Sequence, residues 1–147
     1  CNLYGEYDHF DDPNKCHFIT ALIRKIIDSE NEGRDKITLF GTGSPLRQFM
    51  YAGDLAKTIK LMIENDITDS FNVATPEENN IKDMAEITLK ALGKDMKVVF
   101  DTDKPDGQYR KTVSCKKMLE SVGDFEFTKL EDGVKKVYNE VIKKYGK

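Results

Sequence analysis

The 147-residue sequence has no tryptophan, only two histidines and four prolines, and three cysteines that cannot all pair with one another. Cys1, Cys16 and Cys115 form no CxxC and no Cys/His metal spacing, so neither a disulfide framework nor a metal site is expected, and a reduced, cytosolic setting fits best. No run approaches the roughly 20 apolar residues of a membrane helix, and no charged-then-apolar leader opens the chain, so no membrane contact is expected. Charge of one sign is also missing. With 26 acidic against 23 basic residues and a net charge of -3, there is no global field to gather nucleic acid. GxSxG, HExxH, P-loop, EF-hand and Tyr-x-x-x-Lys patterns are all absent. Taken literally, the chain carries no complete catalytic constellation.

What is present suffices for one core. A 39% hydrophobic composition at this length implies a single domain over 1–147. The opening CNLYGEY lacks an initiator Met and reads as a buried strand leaving for a polar loop, which suggests a chain cut in its middle. The loop runs to Cys16 through Gly5 and the Asp11-Asp12-Pro13-Asn14 cluster. Phe18, Ala21, Leu22, Ile26 and Ile27 then recur at helical spacing, predicting a helix over 18–30. A strand over 37–40, the turn Gly41-Thr42-Gly43-Ser44-Pro45 and an extended segment over 47–51 resemble a hairpin. Leu55, Ile59, Met62 and Ile63 mark a second helix, and 70–74 a further strand. Asn80 and Asp83 open a third helix that Gly93 stops.

A strand over 97–100 leads into the charged loop 101–111, DTDKPDGQYRK, with its Pro105-Asp106-Gly107 turn. A short helix over 115–121 and a last helix follow, the latter started by a Thr128/Glu131 capping box and striped by Val134, Val137, Tyr138, Val141 and Ile142. The lysines of this tail fall opposite the stripe, which makes them a solvated face and no nucleic-acid arm.

Four cations beside loops, Lys25, Arg47, Arg110 and Lys111, have the separated placement that a diphosphate needs. Taken alone the signal is weak, because Arg and Lys beside loops are usually solvated or paired with local carboxylates. His17, at a helix start, has a side chain suited to proton transfer near neutral pH, or to simple surface capping. His9 sits in an acidic loop with no obvious partner and reads as surface. Gly41-Thr42-Gly43 lacks a third glycine and precedes a strand, so it fails as a dinucleotide fingerprint.

Four segments carry a resemblance together: NLYGEYDHFDDPNKCH before a helix, LFGTGSPLRQFMYAGDLA, SFNVATPEENNIKDMAE, and VFDTDKPDGQYRKTVSCKKM. They resemble the carboxy-terminal half of GDP-L-fucose synthases, of the extended short-chain dehydrogenase/reductase group, over essentially the whole chain. The resemblance implies an α/β fold: a small carboxy-terminal substrate-binding domain of a Rossmann-type epimerase/reductase, lacking most of the dinucleotide-binding half. Residues 1–16 would be the strand exit and active-site loop, and 17–147 the GDP-sugar-binding region.

The resemblance also implies NADPH-dependent conversion of GDP-4-keto-6-deoxy-D-mannose to GDP-L-fucose by inversion at C3 and C5 and reduction at C4. His17 matches the family's histidine acid and lies near the nicotinamide, while Cys1, Asn2, Leu3 and Tyr4 match the segment passing that end of the cofactor. Asn2, Lys25, Phe40, Arg47 and Asp106 match GDP-sugar contacts, and Lys111 a cation near the phosphates. The acid's cysteine partner, the reductase residues and the glycine-rich loop would belong to an amino-terminal half, so neither Cys1 nor Cys16 takes that role. A homodimer is implied for the whole enzyme.

The sequence departs from the family pattern at Glu6, where Pro is usual, at His9, where Asn is familiar, and at Lys25, where some members carry Arg. Another nucleotide-sugar epimerase or dehydratase, or a non-catalytic sugar-nucleotide-binding module, are the alternative readings.

Overall fold

Five aliphatic side chains at helical spacing, Ile19, Leu22, Ile23, Ile26 and Ile27, make one stripe of helix α1 (Phe18–Asn31), and all five are buried. Removing each from water is worth about 1.5–3 kcal/mol, which makes this stripe the main organiser of the core. The computed structural model describes residues 1–13 and 15–147. Asn14, in the predicted turn cluster, lies outside the described residues.

Against α1 packs the last helix, residues Leu130–Tyr145, through Val134, Val137, Tyr138 and Val141. The helix Ile81–Leu92 closes the same core with Met84, Ala85 and Leu89. Its ends are those the sequence announces. Asn80 accepts from the Asp83 N–H at 2.7 Å, and Gly93 takes the left-handed conformation at φ 66°.

In chain order the elements are β1 (Asn2–Tyr4), α1, β2 (Lys36–Phe40), β3 (Leu46–Arg47), β4 (Phe49–Tyr51), α2 (Ala52–Glu64), β5 (Asn79–Asn80), α3 (Ile81–Leu92), β6 (Lys97–Asp101), β7 (Arg110–Lys111), α4 (Lys116–Val122) and α5 (Leu130–Tyr145). β1 pairs parallel with β4, and β2 parallel with β6. β3 lies between β5, antiparallel, and β7, parallel.

The predicted hairpin is therefore not formed, because β2 and β3 belong to different sheets. The turn between them serves a helix instead. The Gly43 and Pro45 carbonyls accept from the Lys82 and Ile81 N–H groups at 3.0 and 3.1 Å, satisfying two of the amides that α3 leaves open at its start.

Three further expectations are corrected. Residues 70–74 join no ladder among the described residues. Their Val73 carbonyl accepts instead from the Cys1 ammonium at 3.3 Å. The capping box at Thr128 is not made, since Thr128 donates its N–H and hydroxyl to Asp54 on α2 at 2.8 and 2.9 Å and the cap position falls at Lys129. The loop 101–111 gives up both its ends, to β6 and β7. A second small cluster of Ala74, Cys115 and Met118 gathers Phe71, Val73, Phe125 and Phe127 under α4.

Helix α2 forms where predicted, but its apolar positions do not face the core. Ile59 is 48% and Ile63 72% exposed, whereas Asp54 and Thr58 are buried.

Candidate functional site

The predicted site residues other than Lys111 line one or other of two hollows. One, of about 670 Å³, is lined by Cys1, Asn2, Leu3, Tyr4 and His17 together with Tyr51 and the small residues Gly5, Ala52, Gly53 and Ala56. The parallel β1–β4 pair builds it: Tyr4 stands in register with Tyr51, their rings 6.0 Å apart. Space there depends on a missing side chain, because a Cβ on Gly5 would come within 3.0 Å of the Ala52 Cβ.

The other hollow, of about 280 Å³, is lined by Lys25, Phe40, Arg47 and Asp106, with Phe18 and Pro105 among its walls. These four come from α1, β2, β3 and the loop between β6 and β7. Lys25 donates to the Thr38 carbonyl at 2.7 Å and holds its ammonium 4.9 Å from the Phe40 ring. Burial pushes its pKa below the ordinary lysine value. Arg47 spends Nη1 on the carbonyls of Leu46, at 2.8 Å, and Tyr109, at 3.4 Å. Among the described residues no carboxylate forms an ion pair with Lys25 or Arg47, although the Asp106 carboxylate on the same hollow feels the Arg47 charge.

His17 stands on the ridge between the hollows. It precedes α1 as an exposed residue whose side chain makes no capping bond, and it lines the larger hollow, while its neighbours Cys16 and Phe18 line the smaller one. The loop before it is tied down on several sides. Thr20 donates to Asp8, Arg24 to the Phe10 carbonyl at 2.8 Å, and Tyr145 to Asp11 at 2.6 Å. The Cys16 sulfur rests against the His9 and Asp12 carbonyls, and burial with the nearby Asp8 and Asp12 charges pushes its thiol pKa up. A thiol so placed is a weak nucleophile.

The remaining candidates divide. Lys111 lines neither hollow but is exposed and in register with Arg47 across the β3–β7 pair. Arg110 is paired with Glu78, Nε to Oε2 at 2.8 Å, which removes it from the free cations and holds the Glu78 carboxyl below its usual range. His9, expected to lack a partner, has Asp11 at 3.7 Å.

Sequence reasoning missed three residues at these hollows. Glu6 accepts from the Tyr51 hydroxyl at 2.6 Å, and Thr42 donates to Asp106. Glu6 was signalled as a departure from a usual proline and Thr42 by its glycine neighbours, but Tyr51 had no signal. Among the described residues no cluster of His, Cys, Asp and Glu could hold a metal ion, and no helix is long and apolar enough to cross a membrane.

Residues 1–74 match the model of the NAD dependent epimerase/dehydratase family. The chain is 36% identical over 138 residues to a putative GDP-L-fucose synthase 2 of Arabidopsis thaliana, covering 93% of this chain and 42% of that protein. It is also 36% identical over 138 residues to GDP-L-colitose synthase of Yersinia pseudotuberculosis, covering 92% and 44%. Its backbone resembles a GDP-L-fucose synthetase from Naegleria fowleri crystallised with NADP, with a TM-score of 0.85, 30% identity and coverage of 98% and 45%. The chain thus spans less than half the length of these relatives.

Proposed function

The chain belongs to the NAD dependent epimerase/dehydratase family, and from that premise we propose that it is the substrate-binding part of an NADPH-dependent enzyme converting GDP-4-keto-6-deoxy-D-mannose to GDP-L-fucose. The observation that carries this reading is the meeting of Lys25, Phe40, Arg47 and Asp106 around one hollow, with His17 on the ridge toward a second. Lys25, Arg47 and, beside it, Lys111 neutralise the diphosphate. Phe40, 54% exposed and flanked by Lys25 and Lys104, offers its ring to the guanosine. Asp106 accepts from a hydroxyl.

The substrate's C4 ketone acidifies the hydrogens at C3 and C5; a base from the amino-terminal half takes each proton to leave an enolate, and His17 returns a proton to the carbon from the other face. Residues Cys1 to Tyr4 and His17 fit the nicotinamide end of the cofactor, since strand exit and small side chains leave an open concavity there. The cofactor supplies the hydride that reduces C4. The glycine-rich loop and the remaining catalytic residues belong, in this proposal, to an amino-terminal Rossmann half. That half docks on this chain, and the enzyme works as a cytosolic homodimer.

A related synthase is the second reading, favoured by the equal identity to GDP-L-colitose synthase. A non-catalytic sugar-nucleotide module is the third. Full-length protein given GDP-4-keto-6-deoxymannose and NADPH separates them: formation of GDP-L-fucose is expected, and absence of NADPH oxidation sinks the proposal. Substituting His17→Asn should abolish solvent-proton exchange at C3 and C5 while leaving GDP affinity nearly intact. Unchanged exchange would remove the acid role.

A further inference from the structure

Thr42 lies between the end of β2 and the start of β3, beside the wall of the Lys25/Phe40/Arg47 hollow. Its N–H donates to Asp106 Oδ1 at 2.6 Å and its hydroxyl to Asp106 Oδ2 at 2.7 Å. An ionised carboxylate only accepts, so the single hydroxyl proton of Thr42 goes to Asp106. The Ser44 hydroxyl, 2.9 Å away, then donates to Thr42 Oγ1, as the Ser44 N–H does at 3.2 Å.

The neighbouring glycines let the strands of this contact approach. A Cβ on Gly41 would stand 2.2 Å from Asp106 Oδ1, one on Gly43 2.6 Å from the Phe100 ring, and both residues have positive φ, 78° and 80°. Loop residues 102–109 are exposed throughout. At the tip, 105–108, the hydrogen bonds to the rest of the chain among the described residues are the two from Thr42 to Asp106. Pro105 and Asp106 are nevertheless walls of the hollow. The loop is also held at its ends, where the Lys104 N–H donates to the Asp101 carbonyl at 3.2 Å and the Tyr109 carbonyl accepts from the Leu46 N–H at 2.8 Å, so the tie from Thr42 falls at the tip, and each engaged Asp106 oxygen keeps a second lone pair for a ligand.

We propose that Thr42 is a positioning residue that latches the 102–109 loop through Asp106 and thereby sets the affinity of the hollow for a nucleoside diphosphate sugar. The inference rests on the function proposed above for its binding arm and on the chain's own geometry for the latch. Substituting Thr42→Val in the full-length protein removes the hydroxyl bond at nearly constant volume, and Thr42→Ser restores it.

Hydrogen exchange of the residue-42 amide, which donates to Asp106, and of the Asp103 and Lys104 amides, which donate to Asp101, should speed up in Thr42→Val and return toward wild type in Thr42→Ser. GDP affinity by calorimetry, and KM more than kcat for the sugar nucleotide, should worsen about three- to tenfold in Thr42→Val, the range of one lost hydrogen bond. Thr42→Val added to Asp106→Ala should weaken GDP binding no further than Asp106→Ala alone. Unchanged exchange in Thr42→Val overturns the latch, and additive losses in the double variant overturn its role in affinity. A wild-type protein that binds no GDP overturns the proposed function instead, while the exchange arm still reads the latch.

Discussion

At the scale of single residues, the two hollows are held open by side chains whose charges are managed locally. The Tyr51 hydroxyl donates to Glu6, and that bond, with some burial, pushes the Tyr51 pKa up to about 12. A folded-state pKa above the ordinary tyrosine value means the bond's contribution is fully present below pH 10 and is lost as pH rises through 12. Tyr4 and Tyr138 are also pushed up, chiefly by burial, so ultraviolet titration should find several late-ionising tyrosines, and Glu6→Gln should bring one of those transitions down. A titration identical in wild type and Glu6→Gln would dissolve the pair. Asp106 runs the other way: the Thr42 N–H, its hydroxyl and the Arg47 charge hold its carboxyl below the usual range. The latch is accordingly intact at neutral pH and is lost only as pH falls beneath that range.

Among elements, the joint between α2 and α5 carries the largest predicted effect. Asp54 is 3% exposed and receives both the N–H and the hydroxyl of Thr128, two residues before α5 begins. Substituting Asp54→Ala strands both donors and should cost about 2–4 kcal/mol, read as a lower urea midpoint. Asp54→Asn can still accept from the N–H and should lose less, so equal losses in the two variants would refute the hydrogen-bond account. The same joint shows why helix ends were harder to read than helix bodies. The stripe of α5 is a local periodicity, and Val134, Val137, Tyr138 and Val141 are buried as predicted. Thr128 looked like a cap because cap and long-range donor use the same hydroxyl, and its partner, Asp54, is 74 residues away. Likewise the glycine turn after β2 resembled a hairpin, although its carbonyls go to α3.

On the scale of the whole molecule, α2 turns Ile59 and Ile63 outward with no cover among the described residues, next to a parallel pair, β1–β4, of only two strands. Under the proposed function this face meets the amino-terminal half. Substituting Ile63→Lys should make the 147-residue chain more monodisperse in light scattering and should weaken its association with that half supplied separately. No change in either measurement would leave the face without a partner. The sequence by itself determined the stripes of α1, α3 and α5, the Asn80 and Gly93 ends of α3, the α/β class and, through its resemblance, which residues to watch, because each depends on chemistry within a few positions or on motifs read as strings. Tertiary structure alone decided the strand pairings, the outward face of α2, the pairing of Arg110 with Glu78 and the grouping of Lys25, Phe40, Arg47 and Asp106 around one hollow. The physical reason is separation along the chain. Thr42 and Asp106 stand 64 residues apart, and only the parallel pairing of β2 with β6, which sets Phe40 against Asp101, brings a hydroxyl to a carboxylate that no local pattern connects.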